Sequence, residues 1–186
     1  MKDNRELIIE VATKFFSERG FENTSMSKVC EAAKVSKGLI FHHFKTKDDL
    51  LREIFKKTTD LIIEINNTNQ QDYTPKEELL ELINSFFIQL EKDKLFFQLN
   101  LSMIVQPKTR MLLNDLIQER SSFILQSVKG VFEKIDSKNA LIMSYLFIAE
   151  LDGIALNYLG IFDTYPLEEI KAQLLQKYTN NEIYKN

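Results

Sequence analysis

The residues best suited to chemistry in this sequence lie close together, between Lys28 and Lys47. This window holds five lysines against one acidic residue, together with both histidines of the chain. Ser25 and Ser36 each precede a short run with helical periodicity and are expected to cap it. Ammonium, imidazole and hydroxyl groups are donors that suit DNA phosphates and base edges. The window therefore predicts a DNA-contacting surface; on charge alone, a lysine-rich face in contact only with water is an equal alternative.

The run that follows Ser36 gives these groups separate roles. Gly38 stands inside a short helix, where glycine costs about 1 kcal/mol relative to alanine; this is expected if the backbone must come close to a DNA strand. Lys37, at the helix start, is placed to donate to guanine O6 and N7 or to a phosphate. Leu39 is placed to meet a thymine methyl. Lys47 and the free N–H groups of the next helix form a predicted phosphate clamp.

Short helices must position this window. Apolar residues spaced three and four apart predict a first helix over about 4–19, which Gly20 ends. Ser25 and Ser36 each begin a further short helix. Two short helices joined by a turn of three or four residues are typical of a helix-turn-helix.

The rest of the sequence is also helical in pattern, so we predict an all-α protein of about nine helices. A fourth helix begins at Thr46, and an Asn- and Gln-rich loop follows at 66–71. Thr74, Pro75 and Glu77 form a capping box with proline at the first helical position. The later predicted helices cover about 75–91, 94–105, 107–135, 137–162 and 167–178.

Charge is divided unevenly along the chain. The net charge is −3 and the pI is about 5.5, which taken alone argues mildly against a nucleic-acid partner. Residues 1–57 carry twelve Lys and Arg against nine acids, a net of +3, whereas residues 58–186 carry a net of −6. A basic segment on an acidic protein is typical of a DNA-reading domain.

Composition predicts a globular protein that needs neither a disulfide nor a metal to fold. The 186 residues are 44% hydrophobic and 27% charged, enough to bury a core. The single cysteine, Cys30, and a first segment without an apolar signal-peptide core predict a cytoplasmic protein. The most apolar stretch, 139–162, carries Glu150 and Asp152 and is predicted to be a buried helix rather than a membrane span.

No enzyme, metal site or cofactor is predicted. From Thr58 onward the sequence has no histidine or cysteine, which excludes thiol nucleophiles, imidazole bases and the usual zinc ligands there. Glu150 and Asp152 lie two residues apart on a helix and so point to different faces. The two adjacent histidines have no third ligand nearby in sequence.

The stretch from Gly20 to Leu50, GFENTSMSKVCEAAKVSKGLIFHHFKTKDDL, resembles the DNA-binding domain of TetR-family repressors. The resemblance covers about residues 5–55. It implies a helix-turn-helix domain at 1–47, a helical effector-binding and dimerisation domain at 48–186, and a connecting helix at 47–66. It also implies dimerisation through the last two helices.

Three positions depart from the family pattern. Phe41 stands where the family usually has a tyrosine whose hydroxyl meets a phosphate; His42 or His43 can replace that donor. Lys34 replaces a turn glycine, which predicts a non-glycine residue near the left-handed conformation. Cys30 replaces a small alanine and is interpreted as core packing rather than as a redox switch.

These observations predict a homodimeric repressor that binds a palindromic operator and is released by a small, largely apolar effector. The alternative is a small-molecule-binding or protein-interaction module with a vestigial helix-turn-helix. The predicted DNA contacts are Ser25, Ser27, Ser36, Lys37, Gly38, Leu39, Phe41, His42, His43 and Lys47. The predicted effector pocket is Phe86, Phe97, Met103, Phe123 and Phe147. The predicted dimer interface is Gly153, Leu156, Gly160 and Leu174.

Overall fold

The computed structural model describes residues 3–66 and 73–179, and every regular element in these two ranges is helical. The predicted all-α class is confirmed. In chain order the elements are α1 Asn4–Arg19, α2 Met26–Ala33, α3 Lys37–His43, α4 Lys47–Asn66, α5 Pro75–Lys92, α6 Lys94–Val105, α7 Pro107–Leu112, α8 Asn114–Glu133, α9 Ala140–Leu156, a π-helical turn Asn157–Ile161, and α10 Leu167–Thr179. Apart from Asn66, the predicted Asn- and Gln-rich loop lies outside the described residues.

Local capping sets several helix starts as predicted. Ser25 and Ser36 accept hydrogen bonds from the backbone N–H groups three residues ahead, at 3.3 and 3.1 Å. Thr46 and Asp49 exchange side-chain and backbone hydrogen bonds, both at 3.0 Å. Thr74 forms the predicted capping box ahead of α5. Each cap satisfies N–H groups that have no partner within the helix.

Two predicted helices are subdivided. The predicted helix 107–135 is interrupted at Leu113, whose backbone leaves the helical region (φ −110°, ψ 5°) and whose side chain is fully buried. The predicted helix 137–162 keeps α geometry only to Leu156, and its last turn is π-helical.

By packing, the chain divides into two compact units. The headpiece unit consists of the described part of Met1–Leu61 together with Leu95–Gln118, and the body unit of the described part of Ile62–Lys94 and Glu119–Asn186. This division places residues 48–61 and 95–118 with the helix-turn-helix, whereas the sequence predicts a boundary at 47/48. Helical periodicity shows which face of a segment is apolar, but not which neighbour covers it.

The headpiece unit has one continuous hydrophobic core. Ile8 and Phe16 of α1, Ile40 of α3 and Phe55 of α4 are buried in it. Residues of the later segment join the same core: Leu99, Met103, Leu113 and Leu116. Met103 is therefore a core residue of the headpiece unit, and its predicted place in an effector pocket stays a prediction.

Polar contacts fasten the later segment to the helix-turn-helix. The Arg52 guanidinium donates to the Leu112 carbonyl at 2.7 Å and to the Asp115 carboxylate at 2.8 Å. That hydrogen-bonded guanidinium lowers the pKa of Asp115 to about 2. Lys108 pairs with Glu22 at 2.8 Å. These contacts and the shared core make residues 95–118 part of the headpiece unit's framework.

The body unit has its own core, centred on an aromatic cluster of Phe132, Phe147 and Tyr178. Ring centroids in the cluster lie 5.0 to 6.4 Å apart, and the Tyr178 hydroxyl donates to Glu150 at 2.7 Å. Leu174 of α10 is buried in the same unit, with 6% of its surface exposed.

Two predicted site residues belong to this packing. Phe147 is only 1% exposed and belongs to the aromatic cluster; its predicted place in a pocket stays a prediction. Leu174 has almost no surface left for a partner, which disfavours its predicted place in a dimer interface. Phe86 and Phe123 are half-buried in the body unit, and Phe97 is half-buried in the headpiece unit.

Helix α9 keeps one apolar face uncovered within the chain. Its buried residues are Ala140, Ser144, Phe147, Ile154 and Ala155. Large apolar side chains of the opposite face are 43 to 62% exposed: Leu141, Ile142, Tyr145, Leu146 and Leu156. The prediction of a buried helix therefore holds for one side only. By length and composition alone, 140–161 is also a candidate membrane span.

Candidate nucleic-acid interface

Helices α2 and α3 are held on the headpiece core by their inner faces. Val29, Cys30 and Ala33 of α2 are buried, as are Ile40 of α3 and Phe44 directly after it. The burial of Cys30 fits its interpretation as a core residue. This packing fixes both helices and leaves their outer faces in solvent.

The turn between α2 and α3 contains the predicted left-handed residue. Lys34 has φ 53° and ψ 41°, and it is the one non-glycine residue with positive φ in the described ranges. The Lys34 N–H donates to Glu31 O at 3.2 Å, and the Val35 N–H donates to Cys30 O at 3.1 Å. These two hydrogen bonds close the end of α2. They stabilise Lys34 in a left-handed conformation that lysine adopts less readily than glycine.

Four lysines make a basic surface on this part of the headpiece unit: Lys28, Lys34, Lys37 and Lys45. All four are exposed, and none forms an ion pair within the described residues. Elsewhere in the same unit, the ammonium groups of Lys57 and Lys108 are paired with glutamates. The basic surface therefore presents uncompensated positive charge, which favours binding of phosphates.

The predicted contact residues of α2 and α3 lie around this surface. Ser25, Ser27, Ser36 and His42 are exposed, while Leu39 and His43 are half-buried. Ser25 and Ser36 use an oxygen lone pair in capping, and each hydroxyl keeps a hydrogen to donate.

Gly38 is exposed, and nothing inside the chain requires a glycine there. A Cβ added at this position would meet only the Ser36 Oγ, at 3.9 Å, which is an ordinary contact. Its φ also lies outside the left-handed region. Glycine lowers helix propensity at this position, and no contact among the described residues compensates for that cost.

Lys47 occupies a different place from the predicted one. Its ammonium donates to the carbonyl oxygens of Phe21 at 2.8 Å and Thr24 at 3.0 Å, and lies 4.2 Å from the centre of the Phe21 ring. It thereby joins α4 to the loop between α1 and α2. The structure gives Lys47 a framework role, which replaces the predicted phosphate clamp.

The start of α4 is also poorly suited to an anion. Asp48 and Asp49 lie in its first turn, and Asp49 is engaged with Thr46 in the cap. The two carboxylates already compensate the positive end of the helix dipole, and they repel a phosphate. The missed signal was in the sequence itself: two acids follow Lys47 directly.

Lys28, Lys34 and Lys45 are not among the contacts predicted from the sequence. Their exposure, and the lack of an ion pair among the described residues, make them candidates for phosphate binding. Lys34 and Lys37 have fewer acids within four residues than Lys47, whereas Lys45 has the same two, so local charge alone does not separate Lys45 from Lys47.

Comparison with known proteins agrees with this geometry. Residues 8–54 match the family model described as bacterial regulatory proteins, tetR family. The chain is 30% identical over 92 residues to an HTH-type transcriptional regulator of Staphylococcus aureus (strain USA300), a match that spans 50% of each protein. The matched region is thus about half the length of that relative.

Solved structures share the fold over most of the chain. A transcriptional regulator from Rhodococcus sp. Rha1 has a TM-score of 0.81 at 22% identity, with 94% of each chain covered. The transcriptional regulator FadR from Bacillus subtilis, in complex with stearoyl-CoA, has a TM-score of 0.77 at 22% identity, with 93% of this chain and 96% of that chain covered.

Proposed function

We propose that the chain is a DNA-binding transcriptional regulator acting in the cytoplasm, since residues 8–54 match the family model of the tetR family of bacterial regulatory proteins. The observation that carries the proposal is the basic surface, whose four ammonium groups on and beside α2 and α3 form no ion pair among the described residues, whereas Lys57 and Lys108 of the same unit are paired with glutamates. A surface of this kind suits the phosphates on both sides of a major groove that receives α3.

We propose further that the protein is a homodimer on a palindromic operator. The support is the uncovered face of α9, which is too apolar to face water at such length. Gly153 and Gly160 support close approach of a partner helix, since a Cβ at either position would meet nothing within 4 Å. Leu156 is 46% exposed and stays in the proposed interface. Two headpieces would then read two half-sites in successive major grooves.

A second copy explains this face better than a lipid bilayer does. Glu150 of α9 accepts hydrogen bonds from Lys177 and Tyr178, so an ion pair of the body unit stands beside the helix centre. Such a pair is costly in hydrocarbon but ordinary at the rim of a protein interface.

The effector is proposed as a small, largely apolar molecule that binds the body unit, with Phe86 and Phe123 as candidate contacts. The two rings are half-buried, so they have surface to offer a ligand. Since the Bacillus subtilis neighbour holds stearoyl-CoA, acyl-CoA thioesters of increasing chain length are the first molecules to test for release of DNA. Free coenzyme A is the control that lacks the apolar chain.

The central experiment is selection of a DNA site from a random duplex library, followed by Lys37→Ala. We expect the wild-type protein to enrich a palindromic sequence, and Lys37→Ala to weaken binding about tenfold and relax the preference at one base pair of each half-site. Affinity is measured by fluorescence anisotropy at fixed salt. Enrichment of no sequence would favour the alternative of a vestigial helix-turn-helix.

Lys129→Ala is the matched control for Lys37→Ala. It removes the same charge from α8 in the body unit, where Lys129 pairs with Glu133. We expect its affinity and base preference to equal those of the wild-type protein.

Gly38→Ala separates folding from DNA binding. Because a Cβ fits at this position, we expect alanine to leave the fold intact and to stabilise α3 by up to about 1 kcal/mol. The added methyl stands where a DNA strand must approach, so operator affinity should fall at least tenfold. Calorimetry and anisotropy measure the two effects; unchanged affinity would show that no DNA strand approaches Gly38.

A further inference from the structure

Among residues 3–60, Phe41 is the one large apolar side chain that is strongly exposed. It is 49% exposed, whereas its neighbour Ile40 is fully buried and Phe44 is 3% exposed. Among the side chains that the structure describes, the other strongly exposed apolar ones lie beyond position 72. Scattered exposed apolar residues need no explanation, but this one lies on α3, among the residues proposed to contact DNA.

No aromatic or cationic side chain among the described residues contacts the Phe41 ring, whereas Phe44 lies under the Arg5 guanidinium. Phe41 follows Lys37 by four residues, so the two side chains lie on the same side of α3. The ring is therefore an apolar group beside an unpaired ammonium.

An apolar ring in this position has few suitable partners on a DNA duplex. It has no hydrogen to donate to a phosphate, and covering a phosphate oxygen would cost that oxygen its hydration. The base edges in the major groove are polar donors and acceptors, with one clear exception, the C5-methyl group of thymine. Contact with that methyl removes apolar surface of both partners from water.

We propose that Phe41 reads a thymine through its C5-methyl group, and so makes operator recognition depend on a methyl group. The inference rests on the proposed DNA-binding function and deepens it, since it names the chemical group that one residue recognises. It also revises the role given to Leu39, which is half-buried and has less surface to offer.

The test replaces one thymine at a time in the selected operator by deoxyuridine, which removes the methyl group and leaves the Watson–Crick edge unchanged. We expect one position per half-site at which wild-type affinity falls about fourfold, the effect of one methyl group leaving an apolar contact. Phe41→Ala should bind the unsubstituted operator at least fourfold more weakly and show no further loss with deoxyuridine. Leu39→Ala is the matched variant and should keep the full sensitivity.

Each outcome decides the proposal. Sensitivity that disappears in Phe41→Ala but persists in Leu39→Ala supports it. Equal wild-type affinity at every substituted position, sensitivity that persists in Phe41→Ala, or sensitivity that disappears only in Leu39→Ala overturns it while leaving the DNA-binding function intact. An operator without thymine in its half-sites overturns it as well. Failure of the protein to select any sequence overturns the proposed function itself. The deoxyuridine series on the wild-type protein tests the proposal even where a variant fails to fold.

Discussion

Leu146→Glu is expected to convert the protein from a dimer to a monomer. Leu146 is 62% exposed on the uncovered face of α9, so glutamate can replace it without disturbing the chain's own core. In the proposed dimer the same carboxylate would be buried in an apolar contact, which costs about 3 kcal/mol or more and raises the dimer dissociation constant over 100-fold. Sedimentation velocity at micromolar concentration measures the change.

The same substitution should remove most of the operator affinity. Two linked headpieces bind a palindrome with an effective concentration that a single headpiece lacks, and that advantage is commonly 100-fold or more. Ile88→Glu is the matched control: Ile88 is 59% exposed, but it lies on α5 rather than on α9. A wild-type protein that sediments as a monomer, or a Leu146→Glu protein that stays dimeric, would refute the proposed interface.

Lys47→Met is expected to destabilise the headpiece unit by about 2 kcal/mol. The substitution keeps an unbranched apolar chain over the Phe21 ring but removes the ammonium, and it leaves the Phe21 and Thr24 carbonyl oxygens without this donor. A hydrogen bond to a charged group contributes about 1.5–3 kcal/mol to the free energy of unfolding. Differential scanning calorimetry measures the loss as a lower Tm.

Lys45→Met is the control, because Lys45 has the same charge and is exposed without an ion pair in the described residues. It should keep the wild-type Tm and weaken DNA binding, while Lys47→Met should lower the Tm. A Lys47→Met protein that melts at the wild-type temperature and binds DNA with a reduced salt dependence would restore the phosphate clamp.

Much of the fold could be predicted because its signals are local. The Thr74 capping box and the serine caps of α2 and α3 each depend on residues within a span of four, and the structure has all of them. The all-α class follows from the same periodicity. The interruption at Leu113 could not be predicted, because a buried leucine inside an amphipathic run looks the same whether or not the helix continues.

The candidate site was predicted less evenly, and the reason is tertiary. A lysine at the start of a helix can bind a phosphate or donate to a carbonyl oxygen. Lys47 donates to the loop carbonyls of Phe21 and Thr24, which are 26 and 23 residues away in sequence. Leu174 shows the same limit, since periodicity identifies an apolar position but not whether its own chain or a partner covers it. Exposure of Phe41 is likewise a property of the packed headpiece, invisible in the sequence.

The position of Cys30 makes the rate of thiol labelling a measure of headpiece opening. It is the only thiol in the sequence, and it lies in the headpiece core with 5% of its surface exposed. A thiol reagent can reach it only when α2 lifts from that core, so the labelling rate reports the population of the open headpiece. A ligand that binds only the headpiece in which Cys30 is buried lowers the labelling rate in proportion to the fraction of protein that it occupies. Operator occupancy can therefore be followed as the rate of thiol labelling, with no change to the sequence.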